Sequence, residues 1–190
     1  MDREQAILDA AERLIAEHGF HAVGVDLIGQ EAGISGSAIY RHFSSKDEIL
    51  GALFAAATAE LLVRLGAVRD DPQQELAHLV DVHLDFTLER DRLAAIWQHE
   101  QRSLAHSHRR NFVRGREVYV QRWLSSLAVA FPGCEQEELV VAMNAAQSAI
   151  MSVAMGPRSV ATSRRREVVR AHVLAGLAAL AGSPLKEEVS

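Results

Sequence analysis

Hydrophobic residues along this chain recur at three- and four-residue spacing almost throughout, and no stretch alternates apolar with polar residues as a half-buried strand does. The first run is Ala6, Ile7, Ala10, Ala11, Leu14 and Ile15, one face of a helix expected over residues 3–18. Gly19 follows as its stop, and Phe20 is a core anchor. A second helix starts near Gly24, with Val25, Ile28 and Ala32 on its inner side and Asp26 in the first turn, where a carboxylate suits the helix dipole. Gly33-Ile34-Ser35 reads as a turn. Gly33 supplies a left-handed backbone, Ile34 plugs the core, and Ser35 caps a third helix that stops near Phe43. Ala38, Ile39 and Phe43 can face inward, while Ser37, Tyr40, Arg41 and His42 remain exposed. Helix, tight glycine-containing turn, helix is the helix-turn-helix pattern.

Ser45 and Glu48 have capping-box spacing and open a long helix. Its stripe of Ile49, Leu50, Leu53, Phe54, Ala57, Leu61, Leu62 and Leu65 continues to about Arg69. Asp70-Asp71-Pro72 is a break, with Pro72 at the first position of the next helix. Further helices are expected at about residues 72–89, 91–104, 107–131, 135–155 and 160–182, separated late in the chain by Pro132-Gly133 and Gly156-Pro157. The tail after Gly182, with Pro184, is expected to be loose. The expected fold is all-α: an N-terminal three-helix head in residues 1–48 and a larger helical body in residues 49–190. The last two helices are apolar nearly all round from Leu139 to Ala154 and from Val168 to Ala181. Ala142, Ala145, Ala146 and Ala149, then Ala171, Ala175, Gly176, Ala178 and Ala179, give them small, closely approachable faces. A surface helix should carry one polar face. These two are therefore either buried within one chain or, as expected here, the interface of a homodimer.

Composition narrows the class. The chain has 190 residues, 48% of them apolar, which is enough for a substantial core. Its one cysteine, Cys134, allows no disulfide within the chain and fits a reducing, cytoplasmic setting. The charged start, Met1-Asp2-Arg3-Glu4-Gln5, does not read as a signal peptide, and none is expected. No run of about 18 purely apolar residues occurs, so no membrane span is expected. Charge adds a constraint: the whole chain carries a formal −5. The first fifty residues hold Arg3, Arg13, Arg41 and Lys46 against Asp2, Glu4, Asp9, Glu12, Glu17, Asp26, Glu31, Asp47 and Glu48. A nucleic-acid binder normally shows a basic footprint. Here the footprint must be local, resting on Arg41, Lys46 and Arg3 together with helix N-terminal amides, and used twice in a dimer.

The residues 28–46, especially Ala32-Gly33-Ile34-Ser35, Ile39-Tyr40-Arg41-His42-Phe43 and Ser45-Lys46-Asp47-Glu48-Ile49-Leu50, resemble the DNA-binding region of the TetR family of bacterial transcriptional regulators. The likeness covers about the first fifty residues; the rest matches in helix layout and length. Ser37 stands where a glycine is common, Gly24 where threonine is usual, and Gly29 where alanine is. The resemblance implies an all-α homodimer of roughly nine helices per subunit, a helix-turn-helix head, a ligand-binding body and dimerisation through the last two helices. It also implies DNA contacts: Tyr40 and His42 donating to phosphates, Arg41 reaching a phosphate or base edge, and Lys46 at a helix start on the backbone. Ser35, Gly36 and Ser37 would approach the groove closely.

In the body, Phe54, His83, Phe86, Trp97, Tyr119, Trp123, Asn144, Gln147 and Met151 are spaced to face a cavity, mostly apolar with a few polar anchors. Aromatic residues at helical spacing serve equally as plain core. His99, Glu100, His106 and His108 match no defined zinc spacing, and Arg102, Arg109 and Arg110 would repel a cation, so no metal is expected. Arg164-Arg165-Arg166 reads as a solvated helix start, or as a partner for acids on a second subunit. No nucleophile elbow, triad spacing or Gly-rich phosphate loop points to catalysis, and no cofactor is implied. The function expected is a repressor that leaves a palindromic double-stranded DNA operator when a small hydrophobic effector binds. The alternative is a helical protein–protein interaction module whose helix-turn-helix does not bind DNA; a small all-α enzyme is a third reading.

Overall fold

The computed structural model describes residues 3–100, 109–157 and 159–182. His106, His108, Arg102, the side chains of Arg109 and Arg110, and the tail after Gly182 lie outside the described residues. The described chain contains α-helices and short 3-10 turns and no strand. The helices are α1 (Arg3–His18), α2 (Val25–Glu31), α3 (Gly36–Ile39), α4 (Lys46–Leu65), α5 (Pro72–Glu89), α6 (Asp91–Glu100), α7 (Arg109–Ala130), α8 (Gln136–Ser152) and α9 (Thr162–Ala178). The all-α architecture follows from the unbroken helical spacing of apolar residues. Two boundaries differ from expectation. α4 ends at Leu65, short of Arg69, because Gly66 takes φ +60° and ends the helix. α3 is regular only to Ile39, although the Phe43 N–H still bonds the Ile39 carbonyl at 2.9 Å.

Packing divides the chain into two units: residues 1–63 with 90–119, and residues 64–89 with 120–190. In the first, Ile7, Ala10, Ala11, Leu14 and Ile15 of α1 meet Ile28 of α2, Ile39 of α3, Phe43, and Ile49, Leu50, Leu53 and Phe54 of α4. Leu93 and Ile96 of α6 complete the same core, with α6 lying against α1. Phe54 and Trp97, both named above as pocket candidates, belong to this cluster and stack edge to face at 4.9 Å. Tyr119 is buried in the same unit.

In the second unit α5, α8 and α9 pack on one another. α5 buries Leu76, Leu79, Val80 and Leu84 on one side, and α8 buries Leu139, Met143, Ala146 and Ile150. α9 buries only Val173 and Leu177. Val141 and Ala145 on α8, and Val168, Ala171, Ala175, Gly176 and Ala178 on α9, remain exposed in the single chain. The segment Gln136–Met155 is long and apolar enough to cross a membrane by length and composition, which a search for a purely apolar run overlooks. It packs by one stripe against α5 and α9, leaving its other side uncovered within the chain.

Of the arginine run at the start of α9, Arg164 is solvated as expected, but Arg165 and Arg166 are half-buried and bonded within the chain. Arg166 donates to Asp85 and Asp81, and Arg170 donates to Asp81 at 2.7 and 3.0 Å, tying α9 to α5 within one chain. Arg165 donates to the Val153 carbonyl at 2.8 Å, and Arg164 pairs with Glu167 at 3.2 Å. Burial works against the Asp81 charge, but hydrogen bonds from Arg170 and Arg166 prevail and hold its carboxyl below the ordinary value. The sequence pattern missed these pairs because their partners lie more than eighty residues apart. It also missed Glu75, 2% exposed on α5. Arg122 Nε donates to Glu75 at 2.7 Å and the Arg69 N–H at 2.9 Å. Burial pulls the Glu75 pKa upward, yet these hydrogen bonds outweigh it and hold the group ionised below its usual range.

Candidate nucleic-acid interface

The helix-turn-helix is built by two close approaches. Gly33, with φ +70°, turns the chain between α2 and α3. Gly29 on α2 faces the first residue of α3: a methyl group there would lie 2.9 Å from the Gly36 nitrogen and 3.1 Å from the Ile34 carbonyl oxygen. Glycine in place of the usual alanine thus lets α3 sit directly on α2. Ser35 caps α3 as expected, its Oγ accepting from the Ala38 N–H at 3.2 Å and lying 3.0 Å from Ser37 Oγ. Gly36, expected to approach the groove, also has a packing requirement within the chain. The Asp26 carboxylate lies against its Cα, so that a Cβ would fall 1.8 Å from Asp26 Oδ1. The absent side chain serves the protein's own packing.

Beyond α3 the candidate contacts separate. Tyr40, at the C-terminal end of α3, is 59% exposed. Arg41 is also exposed and makes no ion pair among the described residues. His42 is half-buried, and its Nδ1 lies 3.5 Å from Glu4 Oε1 on α1. Lys46, expected at a phosphate, is engaged within the chain. Its Nζ donates to the carbonyls of Phe20 at 2.6 Å and Val23 at 2.8 Å, and sits 4.2 Å from the centre of the Phe20 ring. Two of its three donors are therefore occupied inside the chain.

The acidity of the head is also partly internal. Glu31 pairs with Arg13 at 2.9 Å and Glu12 with Arg90 at 3.1 Å. Glu48 accepts from the Ser44 N–H and hydroxyl, one residue earlier than the expected capping box, while Ser45 Oγ accepts from the Glu48 N–H at 3.1 Å. Carboxylates engaged this way present less bare charge to an approaching phosphate than the residue count suggests.

The body candidates fall in both packing units. In the second unit Trp123 is fully buried and His83 is 6% exposed. Burial alone lowers the His83 pKa to about 4, so the ring is neutral at pH 7. One turn along α5, Thr87 Oγ1 lies 3.8 Å from Met151 Sδ of α8. Gln147, one turn before Met151, is half-buried with its Nε2 enclosed and without a hydrogen-bond partner among the described residues. Phe86 carries the Arg64 guanidinium 5.3 Å above its ring. Asn144 is exposed in the single chain, on the side of α8 away from its buried stripe, and is no buried amide there. Helical spacing alone does not resolve which of two adjacent sides is covered. Cys134 Sγ lies 3.8 Å from the Leu180 carbonyl. Among the described residues no three His, Cys, Asp or Glu side chains are grouped to hold a metal ion.

Comparison with known proteins places this geometry. Residues 7–53 match the family model of bacterial regulatory proteins, tetR family. The fatty acid metabolism regulator protein of Bacillus subtilis is 30% identical over 99 residues, 50% of this chain and 51% of that one. The chain thus spans about half the length of that relative. A tetR-family regulatory protein from Rhodococcus superposes with a TM-score of 0.80 at 19% identity, covering 95% of this chain and 97% of the other. AibR, solved with isovaleryl coenzyme A and operator DNA, superposes with a TM-score of 0.75 at 16% identity, over 90% and 97% of the two chains. Residues 7–53 thus form a head of the tetR-family type, carried on a helical fold that solved tetR-family structures share over nearly the whole chain.

Proposed function

We propose that the protein is a cytoplasmic DNA-binding transcriptional regulator, a repressor released from a palindromic operator by a small hydrophobic effector. The observation that carries this is the exposed Tyr40-Arg41 pair at the end of α3, in a head of tetR-family type. The functional division is a DNA-binding head in residues 1–48 and an effector-binding and dimerising body in residues 49–190. Two copies joined through α8 and α9 would set two α3 helices in successive major grooves about 34 Å apart. Tyr40 and Arg41 supply the principal contacts, with His42, Ser35 and Ser37 beside them.

The effector reading rests best on the facing sides of α5 and α8. His83 is neutral there, Thr87 meets Met151, and the Gln147 amide has a donor to spend on an acceptor oxygen. An apolar molecule with a carbonyl group, such as an acyl thioester, has that chemistry, and AibR was solved with one. Effector binding shifts α4 and alters the spacing of the two heads. The effector must favour the released conformation; a differential of about 3 kcal/mol changes DNA affinity roughly 150-fold.

Genomic selection with purified protein, at low salt and without effector, tests the DNA reading. A palindromic site should be recovered, and Arg41→Ala should weaken binding to it and reduce the salt slope by about 0.9 for each lost phosphate contact. An Arg41→Ala chain with unchanged affinity and slope removes that residue from the interface. Recovery of no palindrome supports the other reading, a helical protein–protein interaction module. The acidic head and the inward-turned Lys46 favour that reading. Mass spectrometry of molecules that co-purify with the protein tests the effector class.

A further inference from the structure

The peptide groups that follow α1 are held from two sides by residues distant in sequence. Glu100, the last residue of α6, accepts the Phe20 N–H on Oε1 at 3.3 Å. Lys46, the first residue of α4, donates to the Phe20 carbonyl at 2.6 Å and the Val23 carbonyl at 2.8 Å. The Lys46 ammonium also lies 4.2 Å from the centre of the Phe20 ring, where a cation is attracted to the aromatic face. The Phe20 ring itself is buried, 4% exposed, in the core that α1, α2, α3, α4 and α6 share. Residues 19–24 carry few backbone hydrogen bonds of their own: the Gly19 N–H bonds Ile15 at 2.9 Å and the Val23 N–H bonds Phe20 at 3.4 Å. Side chains from α4 and α6 add three more, on the Phe20 N–H and on the Phe20 and Val23 carbonyls. A charged donor on a carbonyl and a carboxylate on an amide are both charge-assisted, and each is stronger than the neutral bond it replaces.

We propose that Lys46 and Glu100 are positioning residues, a two-sided clamp on the Phe20 peptide that fixes the α1–α2 turn and through it the placement of α2 and α3. Lys46 acts inside the head and does not neutralise a DNA phosphate. The DNA part of this inference rests on the regulator reading above; the clamp itself does not.

Two measurements on the full chain separate these points. The first is residue-resolved hydrogen exchange without DNA, on wild type, Lys46→Met and Glu100→Ala. Lys46→Met should speed exchange at Val23, Gly24 and Val25, and Glu100→Ala at Phe20, each by about tenfold or more relative to unchanged amides in α5 and α8. The second is the salt dependence of binding to a DNA fragment recovered by selection. Lys46→Met should weaken binding while leaving the slope of log affinity against log salt within about 0.3 of wild type, whereas each lost phosphate contact removes about 0.9. Lys46→Arg, which keeps the charge and a donor to the Phe20 and Val23 carbonyls, should recover part of the affinity. Exchange at residues 20–25 unchanged in both variants overturns the clamp. A Lys46→Met slope reduced by about 0.9 or more overturns the assignment of Lys46 away from phosphate. If wild type selects no DNA, the regulator reading fails and the exchange measurement alone decides the clamp.

Discussion

At the scale of single residues, the head is shaped by what side chains lack as much as by what they carry. Gly29 lets α3 rest on α2, and Gly36 makes room for the Asp26 carboxylate. Gly33 was legible from sequence because a turn between helices needs a left-handed residue. Gly29 and Gly36 were not, since their requirement comes from neighbours across the turn. His83 carries a prediction of its own. Its pKa falls from 6.5 in the unfolded chain to about 4 in the folded one, because burial penalises the charged ring. Above pH 6.5 the ring is neutral in both states and exerts no pH effect. Between pH 6.5 and 4 the unfolded chain binds the proton and the folded chain does not, so stability falls as pH falls. The loss attributable to His83 should reach about 3 kcal/mol by pH 4. Urea unfolding at fixed protein concentration from pH 7 to 4.5 should show that slope, and His83→Leu should remove most of it. A parent and variant with parallel pH profiles would contradict a neutral, buried His83.

At the scale of elements, periodicity located each helix of the described chain to within a few residues, since a 3.6-residue repeat is a local property of the sequence. It overruns α4 by four residues because Gly66, at φ +60°, ends the helix. It misread Arg166 of α9 because the acids that face it, Asp81 and Asp85, lie on α5. Arg166 bridges Asp81 and Asp85 with side chains 29–45% exposed, so solvent screens the pairing. Arg166→Ala should cost about 1 kcal/mol in unfolding free energy, with a similar coupling to Asp85 in a double-mutant cycle. A coupling near zero would mean that the Arg166–Asp85 pair adds nothing to the hold of α9 on α5, leaving Arg170–Asp81 and the buried Val173 and Leu177.

At the scale of the whole molecule, α9 is the least enclosed of the long helices for its apolar content. It buries two residues and leaves Ala171, Ala175, Gly176 and Ala178 open. Small residues on an uncovered helix face allow a second helix to approach closely, which supports the proposed pairing through α8 and α9. Ala175→Glu should then yield a monomer by sedimentation at micromolar concentration. It should also lose roughly 100-fold or more in operator affinity, because the two heads no longer bind as one. A wild-type chain that sediments as a monomer under the same conditions would overturn the pairing.

The sequence by itself determined the helical class, the order and approximate positions of the helices, and the helix-turn-helix with its turn glycine and capping serine. All of these rest on contacts between residues a few positions apart. Only the tertiary structure decided which charged groups are spent internally. Lys46 is turned onto the α1–α2 turn, Glu75 is buried with Arg122, and Arg166 with Arg170 is bound to α5. It also decided that Phe54 and Trp97 pack in the core of the first unit and that Asn144 is exposed. Each of those outcomes depends on partners tens of residues away, brought near by packing, and no local spacing records them.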